Sequence, residues 1–310
     1  MSLSLDDLQL LLDIVECGSF SQAAAQRRWS QPQVSQRVGT LEQQLGVELF
    51  RRHRRGATPT PACLTFLPSA RQALAAIQAG QLAIQGAPAL PQVFLSCVPS
   101  LAPLFFGPIL LELANAPMEI RCSSDHSPVI MDQLLTGRAQ LGFVLKCPAI
   151  AGIQMERVIV SRIVAVVRRG HPLARRASLT VADVANSQLA PQSWGEDTRE
   201  LISMIRTWRT VPSPIHAIQP SSAAIELALE HGFLTFMPEM AAAKQLKEGS
   251  LVKLEIADLP HWEWEAMVAW RSGKRPDESK QTVLRVVREM AARWEAAQKA
   301  AGSSPKTERA

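Results

Sequence analysis

The sequence of 310 residues predicts an α/β protein in two parts, a small helical head and a larger region of alternating strands and helices. Three observations lead there. Apolar residues recur at helical spacing through most of the first ninety positions. From Gln92 onward, short apolar runs alternate with helical stretches. Positive charge is concentrated: residues 27–55 hold seven arginines and two glutamates, a net +5 that equals the net charge of the whole chain. A local basic segment on an otherwise neutral chain points to a polyanion partner.

The head begins with Leu3, Leu5, Leu8, Leu11, Leu12 and Val15, one apolar stripe that Gly18 ends. This acidic, amphipathic start lacks the features of a signal peptide. No run approaches the roughly 20 apolar residues a membrane helix needs. Five cysteines in no zinc or disulfide spacing suit a reducing cytoplasm.

Ser19 or Ser21 starts a short second helix, "SQAAAQRR", and a tight turn at Arg28–Trp29 follows. Ser30 is then an N-cap, with Pro32 in the first turn. Val34, Val38, Leu41 and Leu45 form the inner face of the third helix. Its opposite face shows Pro32, Gln36, Gly39 and Gln43, flanked by Gln33, Ser35 and Thr40, and Gln31, Pro32, Gln33, Ser35, Gln36 and Arg37 are the candidate DNA-contacting residues of this helix. Two short helices joined by a tight turn, the second polar outside, match a helix-turn-helix. Such a helix places its first turns in the major groove, where a glutamine amide both donates to and accepts from adenine. The pattern alone fits a solvated helix face equally well. "LFRRHRRGATPTP" adds a candidate hairpin wing, with Arg52, Arg54 and Arg55 beside a phosphate backbone.

Order and spacing together resemble the winged helix-turn-helix of LysR-type transcriptional regulators. The resemblance rests on "GSFSQAAAQRRWSQPQVSQRVGTLEQQLGVELFRR". It implies that Gln31, Pro32, Ser35, Gln36, Arg52 and Arg55 face double-stranded DNA. Many members carry Arg-Gln where this chain has Gln36-Arg37.

Residues 61–86 read as one long helix with an a/d seam of Leu67, Ala70, Leu74, Ile77, Gln81 and Ile84. Periodicity leaves open whether that seam packs at home or on a second copy; the resemblance implies a dimerising linker. Two-fold pairing suits a near-palindromic site, with homodimers or homotetramers expected. "GAPALPQ" marks a hinge, assigned to 87–91.

Residues 92–300 open with a βαβαβ pattern and resemble the family's effector-binding domain, two α/β lobes. Lobe I is expected at 92–161 and 266–300, lobe II at 162–265, and a disordered tail at 301–310. "SQLAPQS" and "SPIHAIQ" are expected strands. In the pattern's usual 2-1-3 strand order the first three strand ends are neighbours. Ligands of open α/β sheets bind beyond the carboxyl ends of strands, where helix N-termini favour anions. That rule selects Ser100, then Ser123, Ser124, His126 and Ser127, then Lys146. In lobe II it selects Ser193, Trp194, Ser221 and Ser222. Serines, a lysine and helix ends suit a small organic carboxylate as effector. Each serine is equally well explained as a helix cap.

Cys97, Cys122 and Cys147 fall at the ends of the first three strands, so a thiol- or metal-responsive regulator is the alternative. A small-molecule-binding protein without a regulatory role is a second, although it leaves residues 1–60 unexplained. No catalytic or cofactor motif occurs, so neither an enzyme nor a cofactor is expected. RNA polymerase is a further candidate partner.

Overall fold

The computed structural model describes residues 3–54, 56–84, 90–273 and 277–302. Three capped helices build the head. α1 (Leu5–Cys17) starts from a capping box of Ser4 and Asp7 and stops at Gly18 in the left-handed region. α2 (Phe20–Arg27) starts after Ser19, whose side chain makes no capping bond, and ends at Arg28, a non-glycine residue with φ 58°. α3 (Gln31–Leu45) has the expected Ser30 cap and Pro32 in its first turn, and ends at Gly46. Leu10, Leu11, Ile14, Ala23, Val34 and Val38 are wholly buried between the three helices.

β1 (Phe50–His53) and β2 (Gly56–Pro59) pair antiparallel as the wing. Two contacts fix the wing's position. The Glu42 carboxylate accepts from the backbone N–H of Leu49 at 2.7 Å and of Phe50 at 3.1 Å. Ala57 N–H donates to the Gly18 carbonyl at 2.8 Å. That approach demands glycine at position 56, where φ is 138° and a Cβ would lie 2.2 Å from the Gly18 oxygen.

α4 (Pro61–Ile84) is the linker helix, with Pro68 inside it. Its seam divides. Leu67 is buried in the head's core and Leu74 packs against it, whereas Ile77 and Ile84 are exposed. The helix packs on the head as far as Leu74, and Ile77 and Ile84 beyond it face outward.

β3 (Gln92–Cys97), α5 (Ala102–Glu112), β4 (Glu119–Ser124), α6 (Ser127–Leu135) and β5 (Leu141–Leu145) form the βαβαβ of lobe I, in strand order β4-β3-β5. Gln140, at the start of β5, accepts from the Phe94 N–H through its side chain at 2.7 Å and donates its own N–H to the Phe94 carbonyl. This amide supplies the acceptor without adding a charge.

β6 (Ile153–Arg168) is one strand of 16 residues. The expected lobe division at 161/162 falls inside it. Its first ten residues pair with β9 (Glu263–Arg271), which also pairs with β5. Its last six pair with β7 (Thr235–Pro238) and β8 (Leu251–Leu254). Between these strands lie α7 (Val181–Ala185), α8 (Glu196–Trp208), α9 (Ser221–His231) and α10 (Ala243–Glu248). α11 (Glu278–Gly302) returns to lobe I, where Trp294 packs edge-on against Phe105 and Arg293 pairs with Glu112 at 2.7 Å.

"SQLAPQS" and "SPIHAIQ" are not strands. They form only single bridges, Leu189 with Ile215 and Leu234, and Gln192 with Ile218. Pro191 and Pro214 interrupt the two segments, Pro212 and Pro220 flank the second, and a proline has no N–H to extend a ladder. The expected hinge and tail lie largely outside the described residues. The buried core of the head and that of the effector domain share no residue.

Candidate nucleic-acid interface and effector site

The outer surface of α3 separates into two kinds of residue. Gln31, Pro32 and Gln36 are exposed on the first turns. Gln33 is committed to the cap, its Oε1 accepting from the Ser30 N–H at 2.8 Å and the Ser30 hydroxyl at 2.9 Å. Arg37 reaches back to α1, ion-paired with Asp7 and donating to the Ser4 hydroxyl at 3.1 Å. Burial alone would raise the Asp7 carboxyl, but hydrogen bonds from Arg37 and Ser4 outweigh it and hold the group below its ordinary 3.8.

Ser35 links the helix to the wing. Its hydroxyl accepts from Arg52 Nη1 at 2.5 Å, and the Arg52 guanidinium lies 4.4 Å from the centre of the Phe20 ring. Arg52 is thus fixed beside the exposed amides before any partner arrives. Arg51 and Arg54 are exposed on the wing; Arg55 lies outside the described residues. Arg51 was not singled out by sequence. Its register opposite exposed Thr58 puts it on the wing's other face.

The effector candidates gather in two groups. In lobe I the neighbouring ends of β4, β3 and β5 carry Ser123 and Ser124, Ser100, and Lys146. Ser123 donates its hydroxyl to buried Ser96 at 3.4 Å. Exposed His126 occupies the cap position of α6 without a side-chain capping bond, and Ser127 follows it. Lys146 is paired with Glu265 at 2.5 Å, so its charge is already compensated.

In lobe II, Ser193 and Trp194 lie against the start of α9. Ser193 N–H donates to the Ile218 carbonyl at 2.9 Å, and Gln219 Nε2 donates to the Ser193 carbonyl at 2.7 Å. Ser221 and Ser222 open α9 from the same corner, Ser221 buried and Ser222 exposed. Trp194 is buried, with its ring 6.4 Å from that of Trp262. Among the described residues, the Trp194 indole N–H, the Ser221 hydroxyl and the Gln192 side-chain oxygen are all buried without a hydrogen-bond partner. Such groups are few in folded proteins, and each calls for an explanation.

Sequence reasoning missed Gln192, Ser96 and Ser161. Ser161 interrupts the apolar run "VIVSRIVAVV" where β6 passes between the lobes, and it accepts from the Met240 N–H at 3.1 Å. One polar residue inside an apolar strand was the available signal.

The thiol alternative is not favoured. Cys97 is buried, and burial raises its thiol along with those of Cys122 and Cys147, away from the reactive thiolate. Among the described residues no cluster of three histidine, cysteine or acidic side chains could hold a metal. Among them, too, no helix is long and apolar enough to cross a membrane.

A winged helix-turn-helix joined by a long helix to a two-lobed α/β domain defines a DNA-binding regulator with an effector-binding domain. Residues 5–64 match the bacterial regulatory helix-turn-helix of the lysR family, and residues 89–292 match the LysR substrate binding domain. The chain belongs to the LysR family of transcriptional regulators and is not an enzyme. It is 28% identical over 246 residues to the nitrogen assimilation regulatory protein nac of Klebsiella aerogenes, covering 77% of this chain and 80% of that protein. It is 24% identical over 237 residues to the transcriptional activator LysR of Escherichia coli K12, covering 72% and 73%. Its fold is similar to that of ArgP from Mycobacterium tuberculosis, with TM-score 0.65, 20% identity and 94% and 98% of the two chains covered. LysG from Corynebacterium glutamicum with bound effector Arg gives TM-score 0.61 at 19% identity, covering 94% and 99%.

Proposed function

We propose that this regulator acts in the cytoplasm, reads a near-palindromic DNA site as a homodimer or homotetramer, and responds to a small organic carboxylate. The observation that carries the DNA part is the placement of Gln31 and Gln36 on the exposed first turns of α3 beside Arg52, itself held by Ser35. The amides read base edges and the arginines neutralise phosphates. Arg37 and Gln33 orient the helix from within the head.

Pairing through α4 is supported by exposed Ile77 and Ile84. A groove of about 570 Å³ at the start of the helix adds to it, lined by Leu45, Val47, Leu49 and Phe66 among others. The carboxylate is supported by the lobe II corner. The first turn of α9 offers N–H groups without intrahelical partners, and the Trp194 indole and Ser221 hydroxyl are unpaired donors beside it. Effector binding that favours one lobe arrangement would re-aim the paired heads and alter DNA bending or contact with RNA polymerase.

Two measurements test this reading. A gel shift on the DNA upstream of the protein's own gene should show specific binding, with Arg55→Ala weakening all sequences alike and lowering the salt slope by about one. Calorimetry with succinate, glutamate and benzoate should find binding to at least one acid. Binding confined to cationic or wholly apolar compounds would overturn the carboxylate assignment.

A further inference from the structure

Lobe I touches the linker helix at three successive turns. Arg271, at the end of β9, donates from Nη2 to the Thr65 carbonyl at 3.3 Å. Gly137 lies against Pro68, where a Cβ would stand 3.0 Å from Pro68 Cα. Arg71 donates from Nε to the Thr136 carbonyl at 3.1 Å. Beside this last contact, Glu16 in the final turn of α1 faces two guanidinium groups. Its Oε1 lies 3.6 Å from Arg71 Nη2 and 3.6 Å from Arg138 Nη2. One carboxylate from the head therefore serves one arginine of the linker and one of lobe I.

This junction is polar and incompletely paired. Among the described residues, Arg71 Nη2 and Arg138 Nε are buried without a hydrogen-bond partner, and both ion pairs are longer than charge-assisted hydrogen bonds. Burial lowers the Arg71 pKa, Arg138 lowers it further, and Glu16 opposes both. The two hydrophobic cores share no residue, so no apolar core spans the contact. Domains joined in this way move relative to one another by default.

We infer that Glu16, Arg71 and Arg138 are positioning residues that hold the DNA-reading head docked on lobe I of its own chain, and that releasing them frees the head to re-aim. The cluster sits at one end of α6, and the candidate effector residues His126 and Ser127 sit at the other. A helix of that length spans about 13 Å. The Thr136 hydroxyl donates to the Asp132 carbonyl at 2.8 Å, so the latch carbonyl moves with the helix. A ligand that shifts α6 thereby biases the latch, a consequence that rests on the effector reading above, whereas the latch itself does not.

Amide hydrogen exchange on the full-length chain reads the docked fraction in peptides covering residues 64–72 and 134–140. Glu16→Arg places a third guanidinium beside Arg71 and Arg138, with Asp132 the remaining carboxylate acting on Arg71, and should speed exchange in both peptides roughly tenfold. Glu16→Arg combined with Arg138→Glu restores one carboxylate between two guanidinium groups, and should return both rates to about the wild-type values. Unchanged exchange in Glu16→Arg, or faster exchange that the charge swap fails to restore, overturns the latch. Calorimetry with succinate, glutamate and benzoate on the wild type and Glu16→Arg separates the two readings. Absence of binding to the wild type counts against the carboxylate alone. Equal affinity for both proteins counts against the α6 linkage alone.

Discussion

The reading head and the lobe II corner present their polar side chains in opposite ways. In the head, Gln31 and Gln36 are exposed, and Gln33, Ser35, Arg37 and Arg52 are paired with neighbours within the head. In lobe II, Gln192, Trp194 and Ser221 are buried and each carries a polar atom without a partner. The head is a finished surface that a large, solvated polyanion meets without rearrangement. The corner holds hydrogen-bonding capacity in reserve, which suits a small ligand that replaces water completely. Unpaired buried groups cost about 1–3 kcal/mol each; among the described residues the corner carries three, whereas the three head helices carry one, Arg27 Nε.

The comparison predicts separate responses to mutation. Leu41→Ala, at a site 1% exposed in the head's core, should destabilise the head by about 2–5 kcal/mol. Because the cores are separate, calorimetry should show the head's transition falling while that of the effector domain stays. A single transition that moves as one would break the distinction between the two regions.

Trp194→Phe should do the reverse. It removes an unpaired N–H but also shrinks a buried ring, two opposing effects that leave stability nearly unchanged, while a carboxylate effector loses about 1.5–3 kcal/mol of binding. Thermal melting and titration on the same preparation would show whether the corner's donor is held for a ligand.

Gln36→Ala should weaken specific DNA binding by about 1–3 kcal/mol and relax one base position, with effector affinity unchanged. Binding-site selection with the variant would measure this; wild-type selectivity would place the reading face elsewhere. Ser30→Ala, which removes the α3 cap, should cost about 1 kcal/mol of head stability.

The smallest effect concerns acid. The folded Asp7 carboxyl titrates below its unfolded value, so its contribution is fully present above about pH 4 and is lost as pH falls through the lowered folded value. Asp7→Asn should remove that part of the head's acid sensitivity, measured as melting temperature between about pH 5 and pH 2.

The elements most legible in the sequence were those fixed by neighbours in the chain. Ser30, Pro32 and Gly46 bound α3 because caps and proline act within one turn. The wing was legible from its arginines and Gly56, although the reason for that glycine, the Gly18 carbonyl, was not. The seam of α4 was visible as a period, yet the point where it leaves the head between Leu74 and Ile77 was not. Gln192 looked like any polar residue after a proline. Only its packing among Phe236, Thr198 and Ile218 makes it a buried acceptor.

By itself the sequence determined the helical head, its capped reading helix, the basic wing and the alternation that builds lobe I. Each follows from propensity, capping and periodicity over a few residues. Tertiary structure decided which outer-face residues are spoken for, since Arg37 finds Asp7 thirty positions away and Arg52 finds Ser35 across the wing. It also decided that one strand serves both lobes, that prolines reduce two expected strands to bridges, and that Glu16 meets Arg71 and Arg138. Those outcomes depend on which distant surfaces pack together, and local propensity carries no information about that.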